Sequence, residues 1–349
     1  MLAMTLSGTQ TLFFIIFLVV VWYLFNTMAQ IPTYPYYLSL TAIGALSIFT
    51  VKDYMSGGKY RGKERIPGKT VIVTGANTGI GKETALELAK RGAKLILACR
   101  DMGRCEKARD EIINESANRN IHCRKLDLAS MKSIREFAEK INKEEAHLDI
   151  LINNAGIMRC PKMLTEDGFE MQLGVNHLGH FLLTNLLLDK LKESAPSRII
   201  NVSSLAHVRG TINFDDLNSE KKYDAGAAYG QSKLANILFT KEMARKLKGT
   251  GVTVNALHPG VVDTELIRHI PLANSSISKF FFFPISYTLF KTPKQGAQTT
   301  IHVALDPSID DITGKYFSDC VEKDVTAEAE NEEIARRLWL VSEKWTRLT

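Results

Sequence analysis

Charged residues are missing from the start of the chain: residues 1–51 of the 349 contain no Asp, Glu, Lys, Arg or His. This absence excludes a secretory signal peptide with a basic n-region and an arginine-rich targeting sequence. Two apolar segments, residues 12–25 and 36–51, are separated by Pro32 and Pro35. Because about 20 apolar residues are needed to cross a bilayer, we interpret residues 1–51 as an uncleaved membrane anchor with one span or a hairpin of two. The alternative is an N-terminal helix of the protein core.

Cysteine is scarce, and its five copies have no paired spacing. An odd number scattered along the chain argues against a disulfide framework and predicts reduced thiols in a reducing compartment. His177 and His180 are three residues apart on a predicted helix, but no pattern for a third ligand lies nearby. We therefore predict packing rather than a metal site for these histidines. The cysteines are Cys99, Cys105, Cys123, Cys160 and Cys320.

Most of the net charge of +6 lies between residues 52 and 69, which carry six basic and two acidic side chains. The rest of the chain is close to neutral, which excludes the basic footprint of a nucleic-acid-binding protein. We place a basic linker at residues 52–66, on the cytosolic side of a membrane or against anionic lipid. A single catalytic domain at residues 67–349 follows.

Apolar strand patterns alternate with helical patterns through this domain, which predicts an α/β fold with a doubly wound parallel sheet. About 280 residues are enough for one sheet covered by two layers of helices. Ligands of such sheets bind at the carboxyl ends of the strands. The predicted strands are residues 71–73, 94–98, 121–126, 148–152, 198–202 and 252–256, and a long helix is predicted from Asn176 to Leu191.

Three glycines follow the first predicted strand, and a helical pattern begins at Lys82. Gly75, Gly79 and Gly81 therefore lie on a strand-to-helix turn, where free backbone N–H groups and the helix dipole can bind a pyrophosphate. Their spacing differs from the usual Gly-x-Gly-x-x-Gly fingerprint of dinucleotide sites. A turn without ligand remains the alternative.

The second strand is followed by Cys99, Arg100 and Asp101. In dinucleotide-binding folds, an acid at this point binds the ribose of NAD, whereas an arginine accommodates the 2′-phosphate of NADP. Arg100 therefore favours NADP(H), because a guanidinium binds phosphate through two N–H groups. The alternative is a solvated loop residue. We interpret Asp101 as the N-cap of the next helix.

Tyr229 and Lys233 are four residues apart on a predicted helix and so share one face. A lysine ammonium can lower the pKa of a nearby phenol, whose ordinary value of about 10 makes it a poor proton shuttle at neutral pH. Alone this pattern is weak. Here it follows a serine pair, Ser203 and Ser204, at the end of a predicted strand.

Taken together, these motifs resemble the short-chain dehydrogenase/reductase family over roughly residues 67–320. Within that family the chain is most similar to the retinol dehydrogenase branch, and there to a mitochondrial member. The segments that carry the first resemblance are Thr74–Gly81, Asn153–Gly156, Asn176, Ser204, Tyr229, Lys233 and Pro259-Gly260. Those that carry the second are Asn153–Arg159, Met171–Phe181, Arg198–His207, Ser232–Lys241, Val254–Val262 and Arg336–Trp339.

The resemblance implies a Rossmann-type catalytic domain and a role for each motif. Tyr229 would act as general acid/base, with Lys233 lowering its pKa and holding the nicotinamide ribose. Ser204 would position the reacting oxygen, and Asn176 would hold a water that reprotonates Tyr229. The implied NADP(H)-binding residues are Gly75, Asn77, Thr78, Gly79, Ile80, Gly81, Arg100, Asp127, Asn154, Tyr229, Lys233, Pro259 and Thr264.

The resemblance also implies a substrate class. Residues 278–290 are dense in aromatic side chains and correspond to the substrate lid of the family, which suits an apolar substrate or a membrane-facing entrance. Ordinary core packing is the alternative. We expect interconversion of retinal and retinol at a mitochondrial membrane, with the endoplasmic reticulum as the alternative location. A steroid or lipid-aldehyde reductase and a non-catalytic NADP-binding membrane scaffold are the alternative functions.

Overall fold

The computed structural model describes residues 20, 23, 33–262 and 290–348. The chain divides into two compact units, Met1–Tyr54 and Met55–Thr349. Helix α1, Thr33–Ser56, accounts for most of the described part of the first unit. Of the helices in the described ranges, none combines the length and the apolar character needed to cross a membrane. The predicted apolar segment at residues 12–25 lies outside the described residues except for positions 20 and 23.

The second unit is built on a sheet whose strands run in the order β3-β2-β1-β4-β5-β6-β7-β8. The ladders from β3 through β7 are all parallel, and β8 pairs antiparallel with β7. The order reverses between β1 and β4, and the predicted doubly wound parallel sheet is confirmed. The strands are β1 Thr70–Thr74, β2 Lys94–Cys99, β3 Ile121–Lys125, β4 Ile150–Asn153, β5 Ser197–Val202, β6 Val252–His258, β7 Tyr316–Ser318 and β8 Val321–Glu322.

The helices alternate with the strands as the sequence predicts, with one exception. The helix expected from Asn176 to Leu191 starts earlier, with a short α-helix, Met171–Leu173, and a π-helical turn, Gly174–Leu178. It is broken at Leu187, whose φ of −98° and ψ of 1° are not helical. The helices are α2 Gly79–Lys90, α3 Met102–Ser116, α4 Met131–Glu144, α5 Gly179–Leu186, α6 Leu188–Glu193, α7 Ala225–Lys246, α8 Pro293–Leu305, α9 Ala327–Glu330 and α10 Glu332–Thr346.

The two faces of the sheet carry separate hydrophobic cores. Side chains alternate along a strand, so Ile72 joins the core beneath α4, α5, α7 and α10, whereas Val71 and Val73 join the core beneath α2, α3 and α8. All five residues of β1 are buried, as expected of a central parallel strand covered on both faces. Burial on both faces explains why the middle of this strand is a continuous apolar run in the sequence.

Aromatic packing holds α7 against its neighbours. The Trp339 ring of α10 lies 5.8 Å from Phe239 of α7 and 4.9 Å from Phe181 of α5, measured between ring centroids. His177 packs in the same cluster, 6.0 Å from each phenylalanine ring, and its Nε2 lies 2.8 Å from Ser342 Oγ. Helix α7 also carries Tyr229 and Lys233. Packing of the aromatic cluster against this helix therefore helps to hold the helix that positions both side chains.

Candidate active site

The glycine turn after β1 has the geometry of a phosphate-binding site. Gly79 has a φ of +56°, which glycine adopts without the penalty of a Cβ. A Cβ at Gly81 would lie 2.5 Å from both Asn154 Nδ2 and the Gly75 carbonyl oxygen. The Thr78 side chain makes no cap hydrogen bond to α2. The first N–H groups of α2 therefore keep no intrahelical or capping acceptor, and this arrangement fits a bound pyrophosphate.

A hydrogen-bond network joins the ends of β1 and β4, where the strand order reverses. Thr74 Oγ1 accepts from the N–H groups of Asn154 and Ala155, both at 2.9 Å, and Asn154 Nδ2 donates to the Thr74 carbonyl at 2.8 Å. His180 Nε2 lies 3.0 Å from Thr74 Oγ1, and its Nδ1 lies 3.1 Å from the Asn176 carbonyl. Thr74 and His180 thus help to hold the site together, although the sequence motifs assign no role to their side chains.

Two of the predicted cofactor-binding residues, Arg100 and Asp127, lie at the carboxyl ends of neighbouring strands. Arg100 is exposed directly after β2. Asp127 follows β3, and its Oδ1 accepts from the Ala129 N–H at 2.9 Å. Asp101 Oδ1 accepts from the Arg104 N–H at 3.0 Å and caps α3 as predicted. The contacts of Arg100 and Asp127 with a cofactor remain predictions.

The predicted catalytic side chains meet between β5 and α7. Tyr229 and Lys233 are 6 % and 3 % exposed, and Lys233 Nζ lies 5.8 Å from the centroid of the Tyr229 ring. The Ser204 side chain acts on the Tyr229 hydroxyl and lowers its pKa, against the larger effect of burial. The ammonium donates to the Val202 carbonyl at 3.0 Å. A buried phenol, a hydroxyl and an ammonium therefore converge at one edge of the sheet.

The electrostatics of this group differ from the expectation that Lys233 lowers the pKa of Tyr229. Burial raises the pKa of Tyr229, and the hydrogen bond from Ser204 opposes this increase only in part. Burial also lowers the pKa of Lys233 to about 8. Desolvation is the larger effect because both groups lose water, and the ammonium is directed at a backbone carbonyl. Within the protein alone, the pKa of Tyr229 is therefore raised, and the role of Lys233 in lowering it remains a prediction.

Asn176 lies in the π-helical turn, and both the oxygen and the nitrogen of its side-chain amide are hydrogen-bonded. Its Oδ1 accepts from the Ile157 N–H at 2.9 Å, and its Nδ2 donates to the Ile157 carbonyl at 3.0 Å and to Ser232 Oγ at 2.9 Å. Both amide protons are used within the protein. A relay water bound to this side chain would therefore donate its hydrogen bond rather than accept one.

Ser203 and Ser204 have different roles. Ser203 Oγ donates to the Lys233 carbonyl at 2.7 Å and so fastens the end of β5 to α7. Ser204 is the serine whose side chain lowers the pKa of Tyr229, in keeping with the role that the family resemblance implies. Asn236 Nδ2 donates to the Val202 carbonyl at 3.2 Å, beside Lys233. Asn236 was not predicted, although its position one turn after Lys233 places it on the same helix face.

The segment after β6 contains the remaining predicted cofactor residues. Gly260, next to Pro259, has a φ of +91°, and a Cβ there would lie 2.6 Å from Lys291 Cδ. Lys291 is buried and paired with Asp319. The predicted contact of Thr264 lies outside the described residues, as does the aromatic segment at residues 278–289.

A cavity of about 430 Å³ lies beside the turn that follows Ser204. Leu205, Val208 and Val325 contribute apolar walls, and His207 and His258 contribute polar ones. Among the described residues, no cluster of three or more His, Cys, Asp or Glu side chains could hold a metal. All five cysteines are free thiols.

The profile of the short chain dehydrogenase family matches residues 69–274. The chain belongs to this family. Human retinol dehydrogenase 13 is 61 % identical over 310 residues, which cover 88 % of this chain and 94 % of that protein. The family resemblance seen in the motifs is confirmed, and with it the prediction of an oxidoreductase of the short-chain dehydrogenase type.

Two solved structures are similar to this chain in fold. An uncharacterised protein of Mycobacterium paratuberculosis is 36 % identical with a TM-score of 0.67, covering 83 % of this chain and 98 % of that one. The RhlG/NADP active-site complex of Pseudomonas aeruginosa is 27 % identical with a TM-score of 0.59, covering 72 % of this chain and 95 % of that one.

Proposed function

We propose that this chain is a membrane-anchored, NADP(H)-dependent oxidoreductase that interconverts retinal and retinol. The observation that carries the proposal is the buried Tyr229 side chain, with Ser204 acting on its hydroxyl and Lys233 one helical turn away on the same helix. This group lies on the same sheet edge as the glycine turn after β1. High identity to human retinol dehydrogenase 13 supports a retinoid as the substrate.

The chemistry assigned to the protein is proton transfer and positioning. Tyr229 donates its proton to the carbonyl oxygen during reduction and removes a proton from the alcohol during oxidation. Ser204 hydrogen-bonds the same oxygen, and Lys233 holds the ribose and stabilises the phenolate that reduction leaves. A bound nicotinamide supplies the hydride, and the protein supplies orientation and electrostatics.

The preference for NADP(H) rests on Arg100. Its guanidinium is exposed at the carboxyl end of β2, where dinucleotide folds distinguish a ribose hydroxyl from a 2′-phosphate. The structural neighbour RhlG is a complex with NADP, which supports the same preference here. Gly79, Ile80 and Gly81 would hold the pyrophosphate through their N–H groups.

The proposed membrane contact is supported by the linker before β1. From position 59 to position 66, exposed and partly buried residues alternate. Tyr60 and Ile66 face the domain: the Tyr60 N–H donates to Gln298 Oε1 at 3.2 Å, and the Ile66 N–H donates to the Arg91 carbonyl at 2.9 Å. The alternate positions expose Lys59, Arg61, Lys63 and Arg65.

This row of four cations suits an anionic lipid surface. Its position shortly after the apolar residues 36–51 supports an anchored enzyme whose linker lies on a membrane. By the likeness to the retinol dehydrogenase branch, we propose a mitochondrial membrane, with the endoplasmic reticulum as the alternative.

The proposal is tested with purified full-length protein and both cofactors. All-trans-retinal with NADPH should be reduced faster than a steroid ketone or a medium-chain aldehyde, and faster than with NADH. Tyr229→Phe should abolish reduction of every substrate. Preference for the steroid or the aldehyde would replace the retinoid proposal, and equal activity of Tyr229→Phe would refute the assigned chemistry.

A further inference from the structure

The peptide bond between Ser204 and Leu205 is held on both sides by histidines. The Leu205 N–H donates to Nδ1 of His258 at 3.2 Å. The Ser204 carbonyl lies 2.7 Å from Nδ1 of His207. His258 and His207 are buried, 9 % and 2 % exposed. The Ser204 carbonyl also accepts from the His207 backbone N–H at 3.1 Å. Both polar groups of the peptide plane that follows Ser204 therefore contact imidazole rings.

These contacts determine the protonation of each ring. A carbonyl can only accept, so Nδ1 of His207 must carry a proton, and a backbone N–H can only donate, so Nδ1 of His258 must be a lone pair. The buried Nε2 of His207 has no hydrogen-bond partner among the described residues, consistent with a lone pair at that position. The two neutral rings are therefore opposite tautomers.

The imidazole of His258 adds one hydrogen bond beyond the last backbone hydrogen bond between β5 and β6. The last backbone bond at this end runs from the Ser203 N–H to the Leu257 carbonyl at 2.7 Å. The next donor on that side is the Leu205 N–H, and the imidazole of His258 accepts it in place of a carbonyl. The ring of His207 is supported from the other direction by Tyr316 of β7, with ring centroids 5.0 Å apart.

We propose that His207 and His258 form a clamp that orients Ser204 toward Tyr229, and that both are positioning residues for the reaction. Ser204 is in extended conformation, with φ −159° and ψ 157°, at the point where the chain turns into the 3-10 helix Leu205–Arg209. Its side chain also accepts from the Ala206 N–H at 3.2 Å. Rotation of the clamped peptide would change the direction in which the Ser204 hydroxyl leaves the backbone. The inference rests on the proposed role of Ser204.

Burial keeps the clamp neutral near pH 7. Burial lowers the pKa of His258 to about 4, Lys291, His207 and Lys233 act in the same direction, and Asp319 opposes them. Burial also lowers the pKa of His207, against its hydrogen bond to Ser204. Acidification that protonates His258 removes the acceptor for the Leu205 N–H, so the clamp opens on the acid side only.

The test is a double-mutant cycle on turnover at saturating NADPH. His258→Leu removes the acceptor at similar volume, and we expect kcat to fall about 5- to 50-fold, because the Leu205 N–H loses its partner and the peptide after Ser204 can rotate. The dissociation constant for NADPH should change less than two-fold. His258→Asn, whose Oδ1 can replace Nδ1, should recover most of the loss. In a Ser204→Ala background, His258→Leu should have almost no further effect, since no hydroxyl remains to be oriented.

The outcomes separate this inference from the proposed function. If Ser204→Ala alone is as active as the wild type, the role of Ser204 is wrong and the proposed chemistry fails. If Ser204→Ala is impaired but His258→Leu lowers kcat by the same factor in both backgrounds, the clamp is refuted and the chemistry stands. Imidazole ¹⁵N NMR of the wild-type protein needs no variant. It should show protonated Nδ1 in His207 and unprotonated Nδ1 in His258, and the same tautomer in both would overturn the clamp.

Discussion

The two halves of the sheet edge form their parts of the site in different ways. On the β1–β3 side, the site consists mainly of backbone: a glycine turn, a helix N-terminus and one exposed guanidinium, Arg100. On the β4–β6 side, it consists of polar side chains: the buried Asn176 and Lys233, which are hydrogen-bonded within the protein, the buried Tyr229 and the partly exposed Ser204. The first half is suited to binding a phosphate-rich cofactor, and the second to moving a proton.

This difference has an energetic consequence. Backbone N–H groups at a helix N-terminus are already oriented, so they bind anions at little cost to the fold. The buried Lys233 loses its hydration, which depresses its pKa, and among the described residues the Val202 carbonyl is its hydrogen-bond acceptor rather than a carboxylate. We therefore expect the β4–β6 side, here called the reactive half, to lower the stability of the fold. The β1–β3 side, here called the cofactor half, should not.

The largest effect is expected from Lys233→Met, which keeps the volume of the side chain and removes its charge. Turnover should fall about 10²- to 10⁴-fold, the usual contribution of assisted proton transfer, and NADPH affinity should fall as well. Lys241→Ala, on the same helix and paired with the exposed Glu330, is the matched control and should change turnover less than two-fold. Loss of affinity with unchanged turnover would show that Lys233 only binds the cofactor.

The same variant should be more stable than the wild type at neutral pH in the absence of cofactor. A pKa lowered from 10.5 to about 8 corresponds to roughly 3 kcal/mol. Between pH 8 and 10.5 the unfolded chain holds a proton that the folded protein has lost, so wild-type stability should rise with pH across this window. Below pH 8 the cost is fully present.

Urea unfolding of wild type and Lys233→Met at pH 7 and pH 10 measures this effect. The variant should be more stable at pH 7, and the difference should shrink at pH 10. A variant that is less stable at both values would contradict the cost assigned to the buried ammonium.

A smaller effect is expected in the cofactor half from Gly81→Ala. Its Cβ would meet Asn154 Nδ2 and the Gly75 carbonyl oxygen at 2.5 Å, so the turn must shift, at a cost of about 1–3 kcal/mol in unfolding free energy. NADPH binding should weaken, while turnover at saturating cofactor should change little. Gly103→Ala is the control, because its Cβ would find its nearest neighbour, Asp101 Oδ1, at 3.6 Å. Equal stability of the two alanine variants would contradict the close approach at Gly81.

The cofactor half was largely predictable from the sequence, because a backbone site leaves a pattern of residue types. A buried apolar strand followed by Gly75, Gly79 and Gly81 predicts the turn, and the position of Asp101 predicts the cap of α3. Both depend on local conformation, which neighbouring residues determine.

In the reactive half, only the residues that belong to sequence motifs could be predicted as site residues. The roles of Thr74, His180, His207 and His258 depend on contacts between segments far apart in the chain, and single polar residues carry no local signal of such contacts. The break of the predicted helix at Leu187 could not be predicted either, because no glycine or proline lies at that point of the sequence. The increase that burial causes in the pKa of Tyr229 was not foreseen, because the spacing to Lys233 indicates proximity but not burial.

The division of labour between the two halves is tested most directly by measuring NADPH affinity and turnover in two variants side by side. Arg100→Ala should weaken NADPH binding about ten- to a hundred-fold, the value of a charge-assisted contact to phosphate, with NADH binding and saturated turnover nearly unchanged. Tyr229→Phe should lower saturated turnover at least about 100-fold and leave the NADPH dissociation constant within two-fold of wild type. If each variant changed both quantities by similar factors, binding and chemistry would not be separated between the halves, and the division of labour would be contradicted.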